Sequence, residues 1–296
     1  MSLPHPIGGK TVVITGAARG IGEQLALTLA GRGARVALVG LEPARLEDVA
    51  KRCGPHAAWW EANVTDSARL EAVAKEVVER FSRVDVVVAN AGIASGGPVM
   101  LADPASYDRV IEVNLLGSVR TARAFLPALV TSRGYFLQIA SAAAFVPLPM
   151  MSAYCASKSG VEAFAHSLRT EMAHHGVDVG VAYLSWTDTD MTRGGDEVTG
   201  GQRSKLPGPL GMMNRLEPAI ERLAAGVERR APHVYAQRHI RVLPLIRGLL
   251  PGLVYRGGRK DAAEGERHIL EVGPDATLPV GDGGRADTAV RTTGGS

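Results

Sequence analysis

The chain has 296 residues, 46% hydrophobic and 21% charged, with 35 Gly, 17 Pro and a formal net charge of +3. This composition excludes a wholly disordered or fibrous chain; two cysteines, Cys53 and Cys155, are too few for a disulfide framework or a structural metal site. Lys and Arg are spread along the chain with only a mild concentration between Arg238 and Lys260, which argues against a nucleic-acid binder, whose basic residues gather on one face or stripe. No apolar run approaches the roughly 20 residues that span a bilayer, and the opening MSLPHPIGGK has no signal-peptide pattern. A cytoplasmic protein is therefore expected.

Short β-branched runs alternate with helix-period segments. The run at 11–15 (TVVIT) predicts a buried strand, followed by a glycine-punctuated turn and a helix over 21–32. A second strand is expected at 35–40 (RVALVG), then a helix over 43–53 opened by Pro43. A third strand over 57–63 precedes a helix capped by Asp66 or Ser67 and running to Phe81. The clearest strand is 84–90, and a long helical region is expected over 104–132. Strand 135–140, helix 152–174, strand 177–184, helix 219–230 and a short strand over 233–236 complete the series. Near-continuous apolar strands alternating with helices describe a parallel sheet covered on both faces. Right-handed crossovers then give an α/β, three-layer, doubly wound (Rossmann-like) sheet of about seven parallel strands.

The turn after the first strand reads Thr15-Gly16-Ala17-Ala18-Arg19-Gly20-Ile21-Gly22, with glycines at i, i+4 and i+6. Gly16 permits the tight turn, Gly20 lets backbone approach a pyrophosphate, and Gly22 allows close helix packing. The following helix N-terminus offers free N–H groups and a positive dipole end.

Tyr154 and Lys158 stand four apart in a helical segment and so share a face. An ammonium beside a phenol favours the phenolate and lowers its pKa, making the pair a plausible proton donor and acceptor for an alcohol or carbonyl. Ser141 follows the strand at 135–140, at the sheet edge where ligands of open α/β sheets bind. Asn90-Ala91-Gly92 ends the fourth strand at the same edge.

With these motifs in this order, the chain resembles the short-chain dehydrogenase/reductase family in its compact single-domain form. The resemblance covers about residues 8–236 and rests on TGAARGIG, Ala89 to Gly92 (ANAG), the VNLLG segment around Asn114, Ser141, and Tyr154-Cys-Ala-Ser-Lys158. It implies hydride transfer between a nicotinamide cofactor and an alcohol/carbonyl pair, with Tyr154 as general acid/base. Lys158 would lower the Tyr154 pKa and hold the nicotinamide ribose, Ser141 would orient the substrate, and Asn114 would organise a proton-relay water. Gly16, Arg19, Gly20, Ile21, Gly22, Asn63, Val64, Asn90, Ala91, Gly92 and Thr189 join Tyr154 and Lys158 as cofactor-binding candidates. No metal is implied. A homodimer or homotetramer is, with 104–132 and 152–174 as interface.

The sequence departs from the family pattern at two points. The Pro-Gly pair usual after the sixth strand is missing from Tyr183-Leu-Ser-Trp-Thr-Asp-Thr-Asp-Met191, leaving Thr189 to meet the nicotinamide amide on an altered backbone. The position of an acidic ribose binder at the end of the second strand is Gly40, followed by Leu41 and Glu42. Arg19 could meet a 2′-phosphate and Glu42 a ribose hydroxyl; the reading favours NADP(H) slightly over NAD(H). Asn63-Val64 stands where the family has Asp-Val against the adenine.

Phe145, Val146, Pro147, Leu148, Met150 and Met151 suggest an apolar substrate wall, with Met212 and Met213 further along. A hydrophobic alcohol or carbonyl is the expected substrate. The apolar-basic extension at 237–256 is broken by Pro244 and Pro251, so a pocket or partner role is preferred to a membrane role. Residues 257–296 lack a sustained period and predict a disordered tail. The reading from another class is a nucleotide-binding regulatory or scaffold protein of the same fold without turnover.

Overall fold

The computed structural model describes residues 5–198, 201, 203 and 208–293. Seven strands form one sheet: β1 (Thr11–Thr15), β2 (Arg35–Gly40), β3 (Ala57–Glu61), β4 (Val86–Ala89), β5 (Tyr135–Ile139), β6 (Asp178–Tyr183) and β7 (His233–Tyr235). Their spatial order is β3-β2-β1-β4-β5-β6-β7, all parallel. The order reverses between β1 and β4, which opens a crevice at their carboxyl ends.

Strand alternation sends successive side chains to opposite faces, and each face has its own core. Val13, Val87 and Phe136 pack with the helices α3 (Ser67–Phe81), α4 (Pro104–Ile111), α5 (Gly117–Ser132) and α6 (Ser152–Met172). Val12, Ile14, Leu38 and Leu137 pack with α1 (Gly20–Gly31), α2 (Pro43–Cys53) and a helix at Leu216–Glu228. The doubly wound sheet is thus the architecture expected. Asp66 caps α3, its carboxylate accepting from the Arg69 N–H at 2.9 Å.

The structure differs from the sequence expectation in two places. The helical region at 104–132 is not one α-helix: a five-residue π-helical stretch, Glu112–Leu116, separates α4 from α5. Such wide turns are rare and often mark functional sites; this one carries Asn114.

The second difference is at the C-terminus. After α7 (Asp190–Val198) and α8 (Leu216–Glu228) come a short helix α9 (Leu243–Ile246) and a long one, α10 (Leu250–Val272). Helix α10 runs through the expected boundary at 256, and α11 (Gly281–Thr293) follows it. Residues expected to form a disordered tail are therefore helical over these described spans. The reason is tertiary. The Asp103 N–H donates to Thr277 Oγ1 at 2.9 Å, the Val280 N–H donates to the Ala94 carbonyl at 2.8 Å, and Asp287 forks with Arg109. None of these pairings leaves a trace in local periodicity.

Candidate active site

The glycine turn and the carboxyl ends of β1, β2, β4, β5 and β6 enclose one cleft of about 1360 Å³, counting space open to solvent. Every residue expected to hold a cofactor, apart from Gly22, lines it: Gly16, Arg19, Gly20, Ile21, Asn63, Val64, Asn90, Ala91, Gly92, Tyr154, Lys158 and Thr189. Gly22 lies just beneath. A Cβ there would stand 2.2 Å from the Gly16 carbonyl oxygen and 2.7 Å from Asn90 Nδ2, so only glycine lets α1 pack this close to the turn. Asn90 closes the arrangement from β4, donating from Nδ2 to the carbonyls of Thr15 (2.9 Å) and Gly16 (3.2 Å). The side-chain oxygen of Asn63 accepts from the Thr65 N–H (3.0 Å) and hydroxyl (2.8 Å), which fixes the loop after β3.

Ser141, Tyr154 and Lys158 converge at the far end of the same cleft. The Ser141 hydroxyl caps a short turn by accepting from the Ala143 N–H at 3.1 Å and donates to the Leu184 carbonyl at 3.3 Å. Lys158 is buried, its Nζ donating to the Ile139 carbonyl at 3.3 Å and lying 5.6 Å from the Tyr154 ring centroid. The ammonium does not dominate the phenol as the spacing suggested. Burial pushes the Tyr154 hydroxyl up to about 12, against a hydrogen bond with Ser141 that works the other way. Burial also brings the Lys158 ammonium down to about 8. In both, desolvation of the charged form sets the direction.

Asn114 sits in the π-helical turn with both ends of its amide bonded to protein. Its Oδ1 accepts from the Ile93 N–H at 2.8 Å, and its Nδ2 donates to the Ile93 carbonyl and to Ser157 Oγ, each at 3.0 Å. Gly92 lies between Asn114 and Lys158: a Cβ there would be 3.0 Å from Asn114 Oδ1 and 3.6 Å from Lys158 Nζ.

At the glycine turn, Arg19 is held by three carboxylates. It donates to Glu42 from Nε at 2.9 Å and again from a terminal nitrogen, and pairs with Asp190 (3.1 Å) and Asp282 (2.8 Å). Burial alone would lower the Arg19 pKa, but the hydrogen bonds to Glu42, Asp282 and Asp190 raise it further, so the guanidinium stays charged. Asp282 in turn is held below the usual carboxylate range, first by its hydrogen bond with Arg19.

Several site residues escaped the sequence reading. A further wall of the cleft is α11, which contributes Gly283, Gly284, Ala286 and Asp287, with Val280 just ahead of it. Asp287 is nearly inaccessible and forks with Arg109 at 2.7 and 2.8 Å. Where the Pro-Gly pair is missing, Gln237 accepts from the Ser185 N–H at 2.8 Å and donates to Thr187 Oγ1 at 3.1 Å. Asn214 pairs with the same segment through backbone bonds to Trp186 and Asp188. The glycine–aspartate run GDGG at 281–284 was the one local signal of the first feature; nothing local announced the second.

The apolar wall beside Tyr154 is built from Ala94, Met151 and Val280, with Leu148, Trp186 and Met191 against them. Phe145, by contrast, is a core residue packed against Tyr183, the two rings tilted by 36° with centroids 4.7 Å apart. Met212 is exposed. Among the described residues no group of His, Cys, Asp and Glu could hold a metal.

A parallel sheet with a glycine turn at its switch point and a Ser, Tyr, Lys constellation in the same crevice defines a dinucleotide-type oxidoreductase architecture. The sequence profile of the short chain dehydrogenase family matches residues 10–198, and the chain belongs to that family. It is 32% identical over 220 residues to the 3-oxoacyl-[acyl-carrier-protein] reductase of Escherichia coli, covering 73% of this chain and 90% of that one. An uncharacterized oxidoreductase of Staphylococcus epidermidis is 34% identical over 198 residues, covering 67% and 85%. Among solved structures, a metagenomic short-chain oxidoreductase in complex with NADP is 34% identical, with a TM-score of 0.57 over 60% of this chain and 83% of that one. The 3-ketoacyl-(acyl-carrier-protein) reductase of Brucella melitensis, complexed with NADH, is 26% identical, with a TM-score of 0.71 over 78% and 99%.

Proposed function

We propose that this protein interconverts an apolar carbonyl compound and its alcohol with a nicotinamide dinucleotide, Tyr154 acting as the general acid/base. The observation that carries the reading is that Ser141, Tyr154 and Lys158 share one continuous cleft with the glycine turn and the α1 N-terminus. The free N–H groups at Gly20 and the following residues suit a pyrophosphate. Asn63 and Val64 would flank the adenine, and Lys158 would hold the nicotinamide ribose. The bound nicotinamide would supply or accept the hydride.

In the reductive direction the Tyr154 hydroxyl donates its proton to the substrate oxygen. A pKa of about 12 keeps this group protonated at neutral pH, as an acid must be. The Ser141 hydroxyl would turn its one proton from the Leu184 carbonyl to the same oxygen, which helps carry the charge that develops there. Asn114 is a positioning residue in this account: it ties Ile93 to Ser157 and so fixes Gly92 beside Lys158. The wall of Met151, Leu148, Trp186, Met191 and Val280 favours a hydrophobic substrate.

For the cofactor, the carboxylates around Arg19 support a choice. A 2′-phosphate would have to displace Glu42 from two Arg19 donors while facing Asp190 and Asp282. We therefore favour NAD(H) over NADP(H), with Glu42 available to a ribose hydroxyl. The same reading includes a cytoplasmic homodimer or homotetramer assembled through α4, α5 and α6. No helix among the described residues is long and apolar enough to cross a membrane.

The test is titration with NADH and NADPH followed by a turnover screen over aliphatic and cyclic ketones and their alcohols. The account expects NADH to bind more tightly and apolar carbonyls to be reduced. Tight dinucleotide binding without turnover on any carbonyl or alcohol would point instead to a regulatory or scaffold protein.

A further inference from the structure

Between Arg229 and Lys260 the chain holds seven Arg and one Lys and no Asp or Glu. The structure folds the second half of this stretch as α9 and the first half of α10, joined through Leu249, whose N–H bonds the Ile246 carbonyl at 2.9 Å; the acidic residues of α10, Asp261, Glu264, Glu266 and Glu271, all lie in its second half. One face packs inward: Leu243 and Leu250 are buried, and Ile246 and Val254 lie against the core cluster that includes Phe145. The opposite face is also apolar. Leu245, Leu249 and Leu253, spaced by four, are 87%, 67% and 59% exposed, and Arg241, Arg256, Arg259 and Lys260 beside them are exposed as well. A row of exposed leucines with a rim of cations is costly in water and has the composition of a segment that lies in a lipid interface.

We propose that this face is a docking surface for an anionic lipid membrane, with Leu245, Leu249 and Leu253 entering the headgroup region and the arginine rim contacting lipid phosphates. Charge chooses the occupant. A second copy meeting this face across a two-fold axis would set the same cationic rim against itself, whereas an anionic leaflet complements it. Pro244 and Pro251 do not break the surface, because each sits in the first turn of its helix, where no N–H is required. The segment also packs on the helix that carries Tyr154 and Lys158: the Arg247 guanidinium lies 5.5 Å from the Phe145 ring centroid and pairs with Glu162 of α6. If the oxidoreductase reading holds, the docked enzyme would draw its apolar substrate from the lipid phase. The docking itself does not depend on that reading.

The experiment is co-sedimentation of the full-length protein with phosphatidylcholine vesicles, with and without phosphatidylglycerol, at low and high salt. We expect pelleting with the anionic vesicles, weakened by salt, and reduced about tenfold or more in both the Leu245→Glu/Leu249→Glu/Leu253→Glu and the Arg256→Glu/Arg259→Glu variants. These side chains are exposed, so unchanged circular dichroism and Tm will confirm that both variants fold. Failure to pellet, equal pelleting on neutral vesicles, or a leucine variant that pellets like the parent would overturn the proposal. So would light scattering showing a dimer that the leucine variant splits, which would assign the face to a second copy.

Discussion

The two walls of the cleft are built on different principles. The wall of strand ends and the glycine turn is fixed by contacts dictated by backbone approach: Gly22 against Gly16, Asn90 against Thr15 and Gly16, Gly92 between Asn114 and Lys158. The wall formed by α11 is held by side-chain pairs between distant stretches of chain, Arg109 with Asp287 and Arg19 with Asp282. The first kind of wall constrains which residue types can occur nearby in sequence, so it leaves motifs. The charge pairs of the second need only one complementary charge somewhere else in the chain, so beyond the close-packed glycines of GDGG at 281–284 it leaves no motif.

The largest expected effect breaks the first wall. Gly22→Val drives a side chain into the Gly16 carbonyl, and should abolish dinucleotide binding and destabilise the fold by about 3 kcal/mol or more. Fluorescence titration and thermal unfolding measure both. Asp287→Ala attacks the second wall and leaves Arg109 buried without its main partner, a loss of about 3 kcal/mol in the docking of α11. Hydrogen exchange should rise in α11 while β1 and β4 keep their protection. An equal rise in the sheet would mean that the two walls are one cooperative unit.

A smaller effect concerns pH. Burial lowers Lys158 to about 8, so the free enzyme loses this charge as pH rises through that value, and kcat/KM for the dinucleotide should fall there. Lys158→Arg stays charged, so its profile should lack that step. The unfolded lysine binds its proton up to a higher pH than the folded one, so this residue's contribution to stability rises with pH above about 8. The smallest effect is on cofactor choice. Glu42→Gln frees Arg19 donors and should move the NADPH/NADH affinity ratio toward NADPH by about fivefold; an unchanged ratio would remove Glu42 from the selection.

The same contrast explains what could be read from the sequence. Strands Thr11–Thr15 and Arg35–Gly40 were legible to the residue because continuous β-branched and apolar runs meet abrupt glycine or charged ends. The π-helical turn at Glu112–Leu116 was not, since the apolar period passes through it unbroken. The Tyr154–Lys158 spacing placed both groups in one cleft, but spacing carries no desolvation, and burial sets both pKa values here. Gln237 and Asn214, which pin the segment lacking Pro-Gly, lie 52 and 28 residues from the groups they bond. The leucine row at 245–253 was visible as apolar sequence, yet only the fold shows which face it turns outward.

The central claim is that Tyr154 transfers the proton in a cleft that binds a nicotinamide dinucleotide independently of it. The most direct measurement compares the parent and Tyr154→Phe for NADH affinity and for turnover of the best carbonyl found by screening. The account predicts affinity within about threefold of the parent and turnover reduced by about 100-fold or more. Turnover close to the parent's in the phenylalanine variant would contradict it.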